Sequence, residues 1–462
     1  MDPAASATAP LPGEAAQTQS AMRRLVLRGS AIELVGYALN QGLRLLTNLV
    51  LSRLLFPEAY GMTAIVTVFM VALGMLSDVG LKDSVITSTR GDDPSFLNTA
   101  WTIQIMRGVG LWVIASLIAK PVALAYGEPA LFPLIIAGSF ELVITGMAST
   151  SLFTLVRQVR RGPLVLLEVS SKAIAIVVMF IWATLSPTVW ALVAGGLTAA
   201  VVEVVGSHLL PVGYRNRLHW DAEAARSIRG FGKWIFGSSA FTFLAGEGDR
   251  LLLGHYLTMA MLGVYSIAVM LSSAVGMAVT RLAGSVFYGV FSQVARERRA
   301  DIGREYYSAR LRLDLLAMPV LGAITVLGPL IVSMLYDARY HDAGWIIRIL
   351  CLRVAVQCVL APCGVFMIAV GQSRQLFIGN VGRFLAVWIG IPIGWHFGGL
   401  PGVVWATTLS ELPMLAVFLR ALHKDGLLRP TREFFAPAAF AAGALAAWAL
   451  RASMPSYMAR LH

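Results

Sequence analysis

Residues 244–271 read LAGEGDRLLLGHYLTMAMLGVYSIAVML. One apolar run ends at a short turn around 257–261 and another begins at once, the pattern of a hairpin of two membrane helices. Shifted back by 202 positions, residues 49–75 (LVLSRLLFPEAYGMTAIVTVFMVALGM) align with 251–277 without a gap. Eight of the 27 positions are identical: Leu49/Leu251, Leu51/Leu253, Leu55/Leu257, Gly61/Gly263, Ile65/Ile267, Ala72/Ala274, Gly74/Gly276 and Met75/Met277. Chance in a Leu/Ala/Gly/Val-rich chain gives roughly three matches, so the alignment points to a duplicated unit. Two halves opening on the same hairpin is an arrangement common among transporters.

Composition sets the solvent. Of 462 residues 57% are hydrophobic and only 13% charged, against about a quarter charged in a soluble domain. Apolar runs near the ~20 residues that cross a bilayer fall at 30–55, 59–81, 97–119, 131–156, 163–185 and 188–210, then at 234–257, 260–291, 310–336, 344–370, 376–397 and 401–422. A shorter Ala-rich run occupies 434–450, and its 17 residues leave open whether it spans or lies in the interface. The expected fold is an all-α integral membrane protein of two six-helix lobes related by a pseudo-twofold repeat, with an extra C-terminal helix. The expected divisions are a disordered cytoplasmic tail (1–22), a first lobe (23–213), a basic cytoplasmic connector (214–233), a second lobe (234–423) and a C-terminal tail with one apolar helix (424–462).

The net charge of +12 does not point to nucleic acid, because the basic residues sit in short loops beside apolar spans. With the N-terminus inside, 24 Lys and Arg fall in inside segments and three outside, or five if 434–450 crosses, a strong orientation signal. Cys351, Cys358 and Cys363 share one apolar span without a nearby histidine, so they read as packed hydrophobes. No metal, cofactor or catalytic residue is expected, and the loops are too short to hold an extramembrane catalytic domain.

The informative residues are charges within spans, which cost at least ~2.5–3.5 kcal/mol at a helix centre and normally face a bundle interior or wet cavity. Glu33, Tyr37, Asn40, Arg44 and Asn48 form one polar stripe along the first span; it either lines a cavity or packs helix on helix. Arg107 lies mid-span. Glu168 and Lys172 have the i, i+4 order of an intrahelical pair. Glu247, Asp249 and Arg250 cluster beside Gly246 and Gly248, as a gate, an ion-coupling carboxylate, or an ion pair between Glu247 and Arg250. Glu33 and Glu141 are further ion-coupling candidates.

LTNLVLSRLLFPEAYGMTAI followed by LSDVGLKDSVI, then LNTAWTIQIMRG, then GDRLLLGHYLTMAMLGVYSIAVML together resemble the Wzx-like polysaccharide transporters. These are lipid-linked oligosaccharide flippases of the multidrug/oligosaccharidyl-lipid/polysaccharide exporter superfamily. The resemblance covers residues 24–422 and rests on loose motifs in order: the P-x-x-Y-G turn (Pro57, Tyr60, Gly61) and the D-R-x-L-x-G run from Asp249. It implies two six-helix lobes around a cavity open to one side at a time, in the bacterial inner membrane. It implies as partners an isoprenoid-pyrophosphate-linked oligosaccharide, membrane lipids and the polysaccharide polymerase machinery. Cationic cavity residues would hold the pyrophosphate; from their depth, Arg44 and Arg107 are the expected anchors, with Asn40 and Asn48 beside them. Two alternatives are a cation-coupled multidrug antiporter of the same superfamily and a membrane glycosyltransferase or polymerase. The second would ordinarily carry a large outer loop that this chain lacks.

The orientation has a direct test. Single cysteines at Ala59 and Ala338 are expected to react with an impermeant thiol reagent added outside, and cysteines at Arg160 and Arg298 are not; the reverse pattern would invert the topology.

Overall fold

The structure is a computed structural model. It describes residues 35–76, 90–158, 160–210, 215–228, 246–287 and 301–453, with isolated residues between. All regular structure among them is helical. The first half contributes α1 (35–54), α2 (Pro57–Leu76), α3 (Pro94–Ala125), α4 (Leu131–Gly146), α5 (Ser151–Arg157), α6 (Arg161–Leu185) and α7 (Trp190–Leu209). The second contributes α8 (Gly248–Tyr256), α9 (Met259–Leu282), α10 (Ile302–Leu335), α11 (Ala343–Ala369), α12 (Ser373–Leu409), α13 (Leu412–Lys424) and α14 (Phe435–Ala452). Glu33 and the first part of the expected seventh span, 234–242 with 244 and 245, lie outside the described residues.

Local chemistry sets several helix starts. Asp93 caps α3 by accepting from the Ser95 amide at 3.0 Å, with Pro94 next; a proline tolerates the first turn because its missing N–H would have no partner there. Thr258 caps α9 through the Met261 amide.

Among the described residues nine helical stretches are long and apolar enough to cross a membrane, and α4 with α5, bent by 63°, makes a tenth. One stretch, Arg374–Lys424, counts 51 residues, which as one helix would be about 77 Å long against a ~30 Å hydrocarbon core. Gly399, at φ +53° and ψ −139°, breaks it, giving two crossings as the sequence predicts. The chain is a multi-pass membrane protein. α10 starts at Ile302 rather than near 310, so the helix begins about two turns before the expected span. α14 lies lengthwise along α10, where Gly443 meets the Pro319 carbonyl and Gly322 meets the Phe440 carbonyl too closely for any side chain. The run at 434–450 is thus an integral, packed helix.

The halves meet through α2 and α9. A methyl group on Gly61 would overlap the carbonyl oxygen of Met259, and one on Gly263 would overlap that of Pro57. Pro57 and Met259, like Gly61 and Gly263, are related by the repeat offset of 202, so the contact is reciprocal, as at a twofold axis. Other repeat identities bury around it: Leu51, Leu55, Ile65, Leu253, Leu257 and Ile267 are each at most 5% exposed. Apart from contacts of α2 with α9 and α8, each substantial pairing from α2 onward joins helices of one half, consistent with two lobes. The connector is laid against the first half: Asn216 bonds Ser149 and Thr150, the Arg217 amide donates to Asn98, and the Asp221 carboxylate pairs with Arg90 at 2.8 Å.

Ala59 is buried in the α2–α9 contact, so the outer reporter belongs at exposed Glu58 instead. Gly61→Ala or Gly263→Ala is expected to cost at least the ~1–3 kcal/mol of an overpacked core. Gly74→Ala, with open space around it, should be neutral or gain up to ~1 kcal/mol of helix propensity. Membrane abundance and thermal stability in detergent check this; equal tolerance at all three positions would refute the close approach.

Candidate functional site

Between the halves, beneath the α2–α9 contact, lies a cavity of about 330 Å³. α1 presents Tyr37, Asn40, Gln41, Arg44, Thr47 and Asn48 to it, α6 presents Glu168 and Lys172, and α9 adds Met277 and Arg281. The polar stripe of the first span is therefore a cavity wall. Lys172 Nζ bonds Glu168 Oε1 at 2.8 Å, so that pair is neutral. Arg44 and Arg281 add two further cations, and the Arg281 guanidinium stands 4.5 Å from the centroid of the Tyr37 ring. The Tyr37 hydroxyl, Asn40 Oδ1 and Gln41 Nε2 are buried without hydrogen-bond partners among the described residues. The Tyr37 hydroxyl and Gln41 Nε2 can donate and Asn40 Oδ1 can accept, so with the nearby cations the wall suits a polar guest carrying both acceptors and hydroxyls.

Arg107 faces a second cavity of about 370 Å³ within the first half, lined also by Gln104, Thr145, Ser149 and Glu203. Its guanidinium donates to the Gly74 carbonyl at 2.8 Å. Glu141, on α4, directs its carboxylate toward Gly196 of α7, and Gly196 itself lines the Arg44 cavity.

In the second half the in-span charges meet one another. Arg353 Nη1 reaches Asp249 Oδ2 at 2.8 Å and its Nε reaches Glu411 Oε1 at 3.2 Å. Arg383 and Gln357 donate to the same Glu411 oxygen at 3.0 and 2.7 Å. Asp249, Arg353 and Glu411 are buried. Each carboxylate sits at a helix interruption: Asp249 follows the turn that opens α8, and Glu411 lies in the break between α12 and α13. Two carboxylates against two guanidiniums leave the cluster neutral, the condition under which buried charges persist. Glu247 pairs with Arg250 at 2.7 Å, three residues apart.

The family model described as polysaccharide biosynthesis protein matches residues 50–345. The chain belongs to the polysaccharide biosynthesis protein family. It is 22% identical over 381 residues to the succinoglycan biosynthesis transport protein ExoT of Rhizobium meliloti, covering 81% of this chain and 75% of that protein. Among solved structures it resembles lipid II flippase MurJ in an inward closed conformation (TM-score 0.71, 11% identity, 93% of each chain). It also resembles an inward-facing multidrug resistance MATE family transporter of the MOP superfamily (TM-score 0.62, 16% identity, 84% of this chain and 95% of that one). The two structural likenesses carry the fold. The expected kinship with polysaccharide transporters holds, and the relative from Rhizobium meliloti is a transport protein.

Of the family member's expected site residues, Asn40, Arg44 and Asn48 share the inter-half cavity, although the Asn48 amide is engaged by the Arg44 carbonyl at 2.8 Å. Arg107 lies in the other cavity. Asp249 is held by Arg353, while Glu247 and Arg250 hold each other. Sequence reasoning left two features unassigned: Arg281 as a cavity residue, and Arg353, Arg383 and Glu411 as one network. A signal for the latter was present, since these in-span charges with Asp249 sum to zero.

Arg353→Ala is expected to destabilise the protein by about 3–5 kcal/mol by leaving carboxylates buried and unpaired. The double variant Asp249→Leu, Arg353→Met removes both members and leaves Glu411 with Arg383, so it should recover most of that loss. Thermal unfolding in detergent separates the cases; a double variant as unstable as the single one would show that pairing is not what holds the site.

Proposed function

We propose that this protein flips an isoprenoid-pyrophosphate-linked oligosaccharide across the bacterial inner membrane for polysaccharide export, by alternating access of the cavity between its halves. The observation carrying the reading is the cavity wall, in which Arg44 and Lys172 from the first half and Arg281 from the second face one space. Guanidinium and ammonium groups contributed by both halves suit a pyrophosphate. Arginine meets phosphate oxygens with a planar fork of donors that lysine lacks. Anchors on both halves would let the anion draw the halves together, while a prenyl tail stays in lipid and the glycan occupies the amide-lined wall at Asn40 and Gln41. The reading is supported by the relative from Rhizobium meliloti, a transport protein of succinoglycan biosynthesis, and by the fold shared with a lipid II flippase. An N-terminus inside belongs to the same proposal, as do the division into two lobes, a connector and a C-terminal tail.

Arg44→Ala and Arg281→Ala are each expected to lower polymer export at least tenfold at normal membrane abundance, with Arg→Lys restoring only part. Arg107→Ala, in the separate cavity, is expected to act on export as well if the cargo passes along the first half. Polymer export measured beside membrane abundance is the test. Normal export from Arg44→Ala at normal abundance would remove that residue from the binding site, and loss of abundance instead would assign it to packing.

A further inference from the structure

The turn between α1 and α2 has an unusual hydrogen-bond deficit. The last α1 carbonyls lack donors as at any helix end, and the residue four beyond Arg53 is Pro57, which has no N–H to give. After the Leu55 amide bonds the Leu51 carbonyl, the Ala59 amide turns back to Phe56. The carbonyls of Ser52, Arg53 and Leu55 therefore need partners from elsewhere in the molecule.

All three find them in one short segment of the other half, the turn between α10 and α11. Arg339 Nη2 donates to the Ser52 and Arg53 carbonyls, each at 3.3 Å, and the Tyr340 hydroxyl donates to the Leu55 carbonyl at 3.3 Å. The Arg339 guanidinium lies over the Phe56 ring, 4.9 Å from its centroid, and Tyr340 packs edge-on against Tyr60 at 6.1 Å. Asp337 aims the arginine: it caps its own turn through the Arg339 amide at 3.0 Å and accepts from Arg339 Nε at 2.8 Å and from Nη2. The hydrogen bonds from Arg339 hold the Asp337 carboxyl below its usual range. The pair is thus ionised at neutral pH, and its contribution is lost only as acidification passes through that lowered value.

The opposite cross-contact is far thinner. Among the described residues the end of α3 gives the second-half hairpin one hydrogen bond, from the Tyr126 hydroxyl to the Leu251 carbonyl at 3.0 Å. We infer that the Asp337–Arg339–Tyr340 turn is a latch that holds the two halves shut on the face the charge count assigns to the outside, and that outward opening requires Arg339 to leave the Ser52 and Arg53 carbonyls. An exposed charge hydrogen-bonded to main-chain carbonyls suits that task. The exposed Arg339 guanidinium is rehydrated on opening, so its release costs little compared with a buried ion pair. The apolar Gly61–Gly263 contact supplies the close fit, and the latch sets how readily it parts.

The inference concerns the gate, not the cargo, so its test uses protein without substrate. Nitroxides at Ser186→Cys, in the turn after α6, and His396→Cys, near the Gly399 break in α12, occupy exposed positions of the two halves, and the three native cysteines are buried. Electron–electron distance measurements in lipid nanodiscs are expected to show one short population in the parent protein. Arg339→Ala should add a longer one, Arg339→Lys a smaller share of it, and the melting temperature should stay within a few degrees. In cells, a Thr47→Cys reporter in the cavity should react several-fold faster with an impermeant maleimide from outside when Arg339 is alanine. Should Arg339→Ala fail to fold, Asp337→Asn, which frees the guanidinium at constant size, is expected to produce the same longer population. An unchanged distance distribution in the folded variant, or unchanged labelling, overturns the latch; reduced export with an unchanged distribution would overturn it too, by placing Arg339 in a role other than gating.

Discussion

Everything in this architecture depends on two glycines being able to touch backbone. α2 and α9 approach so closely at Gly61 and Gly263 that each offers its bare face to a carbonyl of the other, where no side chain fits. Lipid tails are as apolar as leucine, so helices in a membrane associate through such van der Waals contact and not through the hydrophobic effect. The contact joins equivalent points of two repeats, and the same local sequence therefore solves both sides of it. It also fixes the register of the halves. With α2 and α9 held near their starts, the space beneath them, walled by α1, α6 and the end of α9, remains as the cavity.

Charge then separates what stabilises from what remains available. Arg353, Asp249, Glu411 and Arg383 neutralise one another in the dry interior of the second half, where any member alone would cost several kcal/mol. Arg44 has no carboxylate partner among the described residues and keeps an exposed surface toward the cavity. Both sets are in-span charges and look alike in a sequence. What distinguishes them is the company brought by distant helices, and that company decides which arginines can answer to a ligand.

That difference also marks how far the sequence is readable. Span lengths, the charge asymmetry and the repeat are local or periodic properties, so the helical class and the equivalence of the 49–75 and 251–277 hairpins were legible. The polar stripe of α1 was legible because a 3.6-residue period places Asn40, Arg44 and Asn48 on one face. Arg281 was not, because its role depends on the end of α9 lying across from Tyr37. Nor was the separation of Arg107 from Arg44: similar depth along two helices says nothing of which side each residue faces. The helix interruption at Glu411 was hidden in a run apolar enough to be read as continuous, where only the Pro413 that follows hinted at a stop.

The two halves share a plan but spend their polar groups differently. The first half keeps its cavities polar, lined by Gln104, Arg107 and Glu203 on one side and by Asn40 and Arg44 on the other. The second half consumes its charges internally and is braced by α14 along α10, with Glu433 bonded to Arg310 beside Asp314. Proline adds to the contrast, since Pro319, Pro329, Pro362 and Pro392 all interrupt second-half helices, each freeing a carbonyl and allowing a bend. A neutral ion network across α8, α11 and α12 can redistribute its pairs without exposing a bare charge. A polar cavity wall, by contrast, must keep its geometry to be recognised. The asymmetry thus follows from dividing one repeat between a half that presents groups to the cavity and a half built to deform around buried, mutually satisfied charges.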